Sequence, residues 1–409
     1  MLTHPWRQAT CPFCFNRFRL REAPLRPTGN VAPEADTKVQ GFFRLAEAPQ
    51  LSKVTQPMNG WLSFFRQNNS WSKENDRICP NCHLPLPLAT ATGQLNTKVI
   101  AVIGEKASGK SNYFAVLLRL LIEGNFARDA GFGVVAQPTW DVHQNKKVLS
   151  SILFRERYGS LFDDRTVVDE TKKLKDNPAL RAPLIYRLQF SHCTLGQRIR
   201  HPLTRFQATD LVLFDTAGED MQNPEEMEQN YRYLATAAGV IFLIDPTRLP
   251  NVLPQMPMDI QSLAREYPGR AGQVVDTFLN LLDRHGSGIL RTIRVPVAFA
   301  FTKLDLLRGI IEPGSRLLVP SRHHDGFDAE DFQRTSNEVR RHLDRWGGGA
   351  VATNLKRFSR AGFFALSSLG RQPDENRHVR QLSPLRVVDP LLWVLNQLGY
   401  LPAMQTTAV

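Results

Sequence analysis

The chain has no apolar run long enough to cross a bilayer, no internal repeat, no low-complexity tract and no long run of lysine or arginine. A spanning helix needs about 20 apolar residues, so none is predicted. The opening residues, Met1-Leu2-Thr3-His4-Pro5-Trp6, lack the apolar core of a secretory signal. The protein is therefore expected in the cytoplasm. Cysteine is scarce, five in 409 residues, and a reducing compartment argues against disulfides. Acidic residues are outnumbered, 39 against 51 basic, which leaves a net charge of +12. Such an excess predicts either a basic surface of no special role or an anionic partner: nucleic acid, a membrane surface or an acidic protein.

What cysteine there is falls into a pattern. Cys11-Pro12-Phe13-Cys14 and Cys79-Pro80-Asn81-Cys82 are two Cys-Pro-x-Cys knuckles. Two residues between cysteines let both thiolates reach one metal, and two such knuckles complete the tetrahedral Cys₄ set that structural Zn²⁺ prefers. The four are predicted to bind one Zn²⁺, with His83 a turn residue and not a fifth ligand. Cys193 stands alone and is expected to be a buried apolar residue. Residues 1–92 are predicted to form this small Cys₄ zinc-ribbon module with a long, proline-rich insertion. Trp61, Phe64, Phe65 and Trp71 are expected to make a small packed patch within it. The metal is expected to stabilise this unit and not the rest of the chain.

From Leu95 strands alternate with helices, which predicts an α/β domain over 95–400, with a parallel sheet covered on both faces, and then a tail, 401–409. Val99–Ile103, Leu211–Phe214, Gly239–Ile244, Val295–Phe301 and Gly362–Leu366 read as strands. Pro183–Phe190 alternates and reads as a sheet-edge strand. Asn112–Leu121 and Ala329–Trp346 read as helices, and Val388–Leu398 as a closing amphipathic one. Pro313–Phe327, with His323-His324-Asp325, reads as an exposed loop.

The first strand runs into Gly104-Glu105-Lys106-Ala107-Ser108-Gly109-Lys110-Ser111 and then a helix beginning at Asn112. Strand, glycine-rich loop and helix are the context in which this spacing binds phosphate. Backbone N–H groups point at the anion and the helix dipole adds to them. Lys110 is expected to reach the β and γ phosphates, and Ser111 to hold Mg²⁺. After a later buried strand comes Asp215-Thr216-Ala217-Gly218. Asp215 is positioned to hold Mg²⁺ through water. The Gly218 N–H is positioned to meet a γ-phosphate, an interaction that ends when that phosphate leaves. Thr302-Lys303-Leu304-Asp305 follows the Val295–Phe301 strand. Asp305 can accept two hydrogen bonds from the N1 and N2 edge of guanine, which adenine cannot give, while the Lys303 stem covers the base. A backbone N–H from Ser367-Ser368-Leu369 is placed to meet guanine O6.

These four motifs, in this order, resemble the Ras-like GTPases of the translation-factor-related class, and Leu213-Phe214-Asp215-Thr216-Ala217-Gly218 resembles that family's second switch. The resemblance implies a P-loop NTPase three-layer α/β/α sandwich with a mostly parallel sheet. It also implies GTP and GDP as ligands, Mg²⁺ as cofactor, and a nucleotide-dependent switch acting on a protein partner or effector. The knuckles ahead of the domain, and Arg386-Val387-Val388-Asp389-Pro390-Leu391-Leu392-Trp393 near its end, resemble predicted bacterial GTPases of multi-component conflict systems. That implies a role in bacterial defence or signalling. The family places glutamine after its Asp-x-x-Gly motif to orient water; here Glu219 stands there and predicts slow hydrolysis. Lys106 replaces a family glycine. The first-switch threonine that closes on Mg²⁺ is expected at Thr171, or else at Thr166. Two rivals stay open: a zinc-ribbon NTPase that processes nucleic acid, and a pseudo-GTPase that binds without hydrolysis.

Overall fold

In the computed structural model the described residues are 8–29, 31–55, 75–93, 99–104, 107–168, 178–190, 207–213, 233, 236–266, 271–284, 293–355 and 357–404. Its centre is a four-stranded parallel sheet. The strands are β7 (Val99–Gly104), β13 (Ala237–Ile244), β14 (Val297–Phe301) and β15 (Ala361–Ala365), in the order β15-β14-β13-β7. Every residue of β7 and β14 is buried. That explains why these segments read as unbroken apolar runs: a parallel strand is covered on both faces.

The register builds the core on one face. Phe242, Phe299 and Phe363 are direct neighbours across β13, β14 and β15, and their rings stack at 5.7 and 5.5 Å between centroids. The other face is closed by the Asp389–Gln397 helix. A Cβ at Gly239 would lie 2.3 Å from Val394, and one at Gly362 would lie 2.9 Å from Trp393. Glycine there lets the helix sit directly on the sheet. This helix is buried from Asp389 through Leu395, so the amphipathic expectation for it does not hold. The Ala329–Arg345 helix packs alongside through Phe332, which stacks on Phe364.

A second sheet runs antiparallel, in the order β12 (Gln207–Leu213), β11 (Leu184–Phe190), β8 (Phe132–Ala136). The Pro183–Phe190 segment is thus its central strand and not an edge. Six of its seven strand residues are buried, because β12 and β8 pair with it on both sides. Beside it, Pro138–Asp141 (β9) and Lys146–Leu149 (β10) form a hairpin. The two sheets meet at β12 and β7, where the Tyr233 hydroxyl spans the seam. It accepts from the Val102 N–H at 3.1 Å and donates to the Val212 carbonyl at 3.3 Å.

The N-terminal part contains three short antiparallel pairs. They are β1 (Gln8–Thr10) with β2 (Arg17–Arg19), β3 (Leu25–Pro27) with β6 (Asn75–Arg77), and β4 (Pro33–Ala35) with β5 (Gln50–Ser52). Its core is continuous with that of the sheets: Phe15 lies with its ring centroid 4.8 Å from that of Tyr233. The expected aromatic patch at Trp61, Phe64, Phe65 and Trp71, and Cys193, lie outside the described residues. Among the described residues no helix is long and apolar enough to cross a membrane.

Candidate functional site

Parallel strands put all their carboxyl ends on one side, and ligand sites of open α/β sheets form there. Four such ends adjoin here. Gly104 closes β7 opposite Leu243, and Ile244 at the end of β13 is opposite Phe301 of β14, which is opposite Ala365 of β15. Three of the motifs singled out in the sequence follow the tips of β7, β14 and β15.

The phosphate-loop candidate departs from Gly104. A Cβ on Gly104 would lie 2.5 Å from the Ser108 Oγ and 3.2 Å from the Lys110 Cβ, so only glycine lets the loop fold back over the strand. Ala107 and Gly109 both take the left-handed conformation, at φ 60° and 81°. Such turns aim successive N–H groups into a shared concavity. Lys110 opens the Lys110–Ile122 helix and is buried, and Ser111 beside it is half-buried. The Ser108 hydroxyl is buried with no hydrogen-bond partner among the described residues. Asn112 accepts from the Val168 N–H at 3.3 Å and so ties the first helical turn to the chain just before 169–177. Glu105 and Lys106 lie outside the described residues, as do Thr171, Asp215, Gly218 and Glu219. Thr166 is described, and it bridges His378.

If this loop holds a nucleotide, Gly104→Ala should weaken that binding about fivefold to a hundredfold while the fold persists, since overpacking costs roughly 1–3 kcal/mol. Titration with a fluorescent guanine nucleotide, alongside a melting curve, checks this.

At the tips of β14 and β15 the base-motif candidates come together. Thr302 is buried and donates both its N–H and its hydroxyl to the Ile244 carbonyl, at 2.9 and 3.2 Å. Lys303 is left-handed at φ 56°. Asp305 lies on the Leu304–Leu307 turn and accepts from the Ser367 hydroxyl, which in turn accepts from the Gly370 N–H at 2.8 Å. The Ser367 N–H donates to Leu385. Ser367 therefore contributes its hydroxyl to the motif and not its amide. Ser368 and Leu369 follow it half-buried.

Sequence reasoning found no role for Asp245, yet its carboxylate bonds Lys303 at 2.7 Å. An acid directly after a buried strand was the available signal. His323 is also not part of an exposed loop. It is buried, stacks on Phe327 and bonds Asp389 at 3.1 Å.

The four knuckle cysteines are buried, and their sulfurs all lie within 4.8 Å of one another. Cys11 is 3.7 Å from Cys82 and Cys14 is 3.6 Å from Cys79. A tetrahedron with Zn–S bonds of about 2.3 Å has S···S edges of about 3.8 Å, so the set fits this ion. The N–H groups of Phe13 and Asn81 donate to Cys11 and Cys79, each at 3.4 Å. Both knuckles turn at a left-handed residue after the second cysteine, Phe15 and His83. The His83 ring bonds Asp36 at 2.9 Å, which suits a turn residue and not a ligand. Asp36 also caps the Thr37–Phe43 helix. Burial pushes the Cys11 and Cys82 thiols up, whereas hydrogen bonds from Cys11, Cys79 and Cys82 hold Cys14 well below the usual thiol range.

No protein-family model matches the chain. A protein of Mycolicibacterium smegmatis described as "Putative ESX-1 scaffolding and assembly protein SaeC" is 29% identical over 348 residues, covering 79% of this chain and 80% of that protein. Two solved structures align at 12% identity. The signal recognition particle receptor SRb-GTP/SRX complex from Chaetomium thermophilum matches with a TM-score of 0.28, over 69% of this chain and 96% of that one. The sup35 complex with GDP matches with a TM-score of 0.22, over 68% of this chain and 39% of that one. At these scores neither carries an argument about fold or ligand. What the chain does have is a mixed α/β fold with a four-stranded parallel sheet and a buried Cys₄ cluster.

Proposed function

We propose that the protein binds GTP and GDP with Mg²⁺, hydrolyses GTP slowly, and acts as a nucleotide-dependent switch on a protein partner. The observation that carries the reading is the adjacency of the strand tips. The order β15-β14-β13-β7 brings the loop from Gly104 to Lys110 to the same sheet end as Asp305 and Ser367. A P-loop sandwich puts phosphate and base recognition at those places.

Lys110, at the helix N-terminus, supplies charge to the phosphates, and loop N–H groups complete the cradle. Ser111 and Asp215 would hold Mg²⁺, joined by Thr171 in the triphosphate state. Such an ion would supply charge to offset that developing on the phosphates. The Gly218 N–H would meet the γ-phosphate. Glu219 follows the Asp-x-x-Gly motif in sequence, where the attacking water would be oriented; a carboxylate there would repel the γ-phosphate and slow turnover. The Cys₄ cluster would hold a structural Zn²⁺. The scaffolding and assembly description of the M. smegmatis relative supports a protein partner as the target of the switch.

Single-turnover hydrolysis with protein in excess of GTP tests the enzymatic part. Phosphate release is expected to be slow but complete, and Glu219→Gln to speed it severalfold. No release above the uncatalysed background would make the chain a binding protein only. Slower release by Glu219→Gln would make the carboxylate itself part of the mechanism.

A further inference from the structure

We propose that Asp245 is a positioning residue for the base-binding motif, fixing Lys303 across the nucleotide site. The inference rests on the guanine-nucleotide reading above. β13 lies between β7 and β14, so Asp245, directly after its last residue, sits between the phosphate loop and Thr302–Asp305. Its side chain is 2% exposed. A carboxylate so desolvated is retained only when its bonds are met.

Here they are met with a division of labour between the two oxygens. Oδ1 accepts from the Thr247 N–H at 3.0 Å and the Thr247 hydroxyl at 2.6 Å. Those two bonds fix the plane of the carboxylate. Oδ2 is then turned toward the Lys303 ammonium at 2.7 Å, with the Arg248 Nε at 3.6 Å on the same oxygen. Lys303 needs such a restraint. Its backbone is left-handed, uncommon for a side chain of this size, and four rotatable bonds would otherwise leave the stem free. Its neighbours are fixed by backbone bonds, Thr302 to Ile244 and Leu304 to Leu366. Asp245 supplies the one side-chain anchor seen for its ammonium among the described residues. With the ammonium held, the aliphatic stem is preorganised to cover a base held by Asp305. The ordering cost is then met before nucleotide arrives, which slows release.

The test is dissociation of a fluorescent GDP analogue from the full chain with Mg²⁺. Asp245→Asn keeps the shape but turns an amide toward the ammonium, and should speed release about tenfold or more. Lys303→Met keeps an apolar stem without the anchor and should also speed release. The double variant should be no faster than Lys303→Met, because Asp245 acts through that lysine. A purely structural aspartate would instead lower the melting midpoint and act equally strongly in the Lys303→Met background. Factors that multiply in the double variant, or unchanged release by Asp245→Asn, overturn the inference. Should Asp245→Asn fold too poorly, Thr247→Val decides, since it removes the hydroxyl that holds Oδ1 while leaving the backbone N–H bond and the charge; unchanged release there is equally contrary. Wild-type protein that binds no guanine nucleotide removes the underlying reading, whereas tight wild-type binding with unaltered variants removes this inference alone.

Discussion

Asp305→Asn is expected to move the protein from GTP to xanthosine triphosphate, with GTP affinity falling roughly a thousandfold. A carboxylate accepts both N–H donors on the guanine edge; an asparagine can accept one and must present its NH₂ to the other. Xanthine carries an oxygen where guanine has its 2-amino group, and that oxygen takes the amide proton. The surroundings of Asp305 set which way the new amide turns. The Ser367 hydroxyl already accepts from the Gly370 N–H and gives its proton to the Asp305 Oδ1. That donor keeps an oxygen facing it, so the amide nitrogen faces the base. Competition titrations with the two triphosphates check the exchange. Equal loss of both would mean that Asp305 supports the loop and does not read the base.

Removing the metal should have the second large effect, and on the whole chain. Elemental analysis of freshly prepared protein is expected to give one zinc per chain, and Cys11→Ser with Cys82→Ser to eliminate it. The double substitution should also lower the melting midpoint by roughly ten degrees, a loss of several kcal/mol. The effect is expected to reach beyond the N-terminal unit. Phe15, in the turn of the first knuckle, packs on Tyr233, and the Tyr233 hydroxyl joins β7 to β12. β7 leads into the phosphate loop, and β12 ends two residues before Asp215. A slackened knuckle therefore loosens both sides of the proposed site, and nucleotide release should quicken in the same variant. An unchanged melting midpoint in zinc-free protein would show that the four thiols are structural without a metal.

Much of this architecture was legible because its signals are local. Val99–Gly104 and Val297–Phe301 are apolar throughout and are buried throughout. The spacing of Gly104, Gly109 and Lys110 needed only a strand before it and a helix after it, and both are present. The two knuckles announced a cluster across a separation of 71 positions, from Cys11 to Cys82, because a Cys-x-x-Cys spacing used twice is a signature of metal ligation. What was not legible depended on pairing between distant segments. Leu184–Phe190 alternates in sequence, yet β8 and β12 flank it and bury its polar Arg187 against Asp210 at 2.9 Å. The closing helix reads as amphipathic, but its Asp389 carboxylate is buried under Arg386, His323 and Ser321. Asp245 carried no motif of its own; its meaning arises only when β13 and β14 lie side by side.

The central claim is that the tips of β7, β14 and β15 form one guanine-nucleotide site. The most direct measurement is equilibrium titration of the wild-type chain with a fluorescent GDP analogue in Mg²⁺, competed by GTP, GDP and ATP. The account predicts saturation at one nucleotide per chain, full displacement by GTP and GDP, and at least about a thousandfold weaker displacement by ATP. Absence of saturable binding, or displacement by ATP as readily as by GTP, would contradict it.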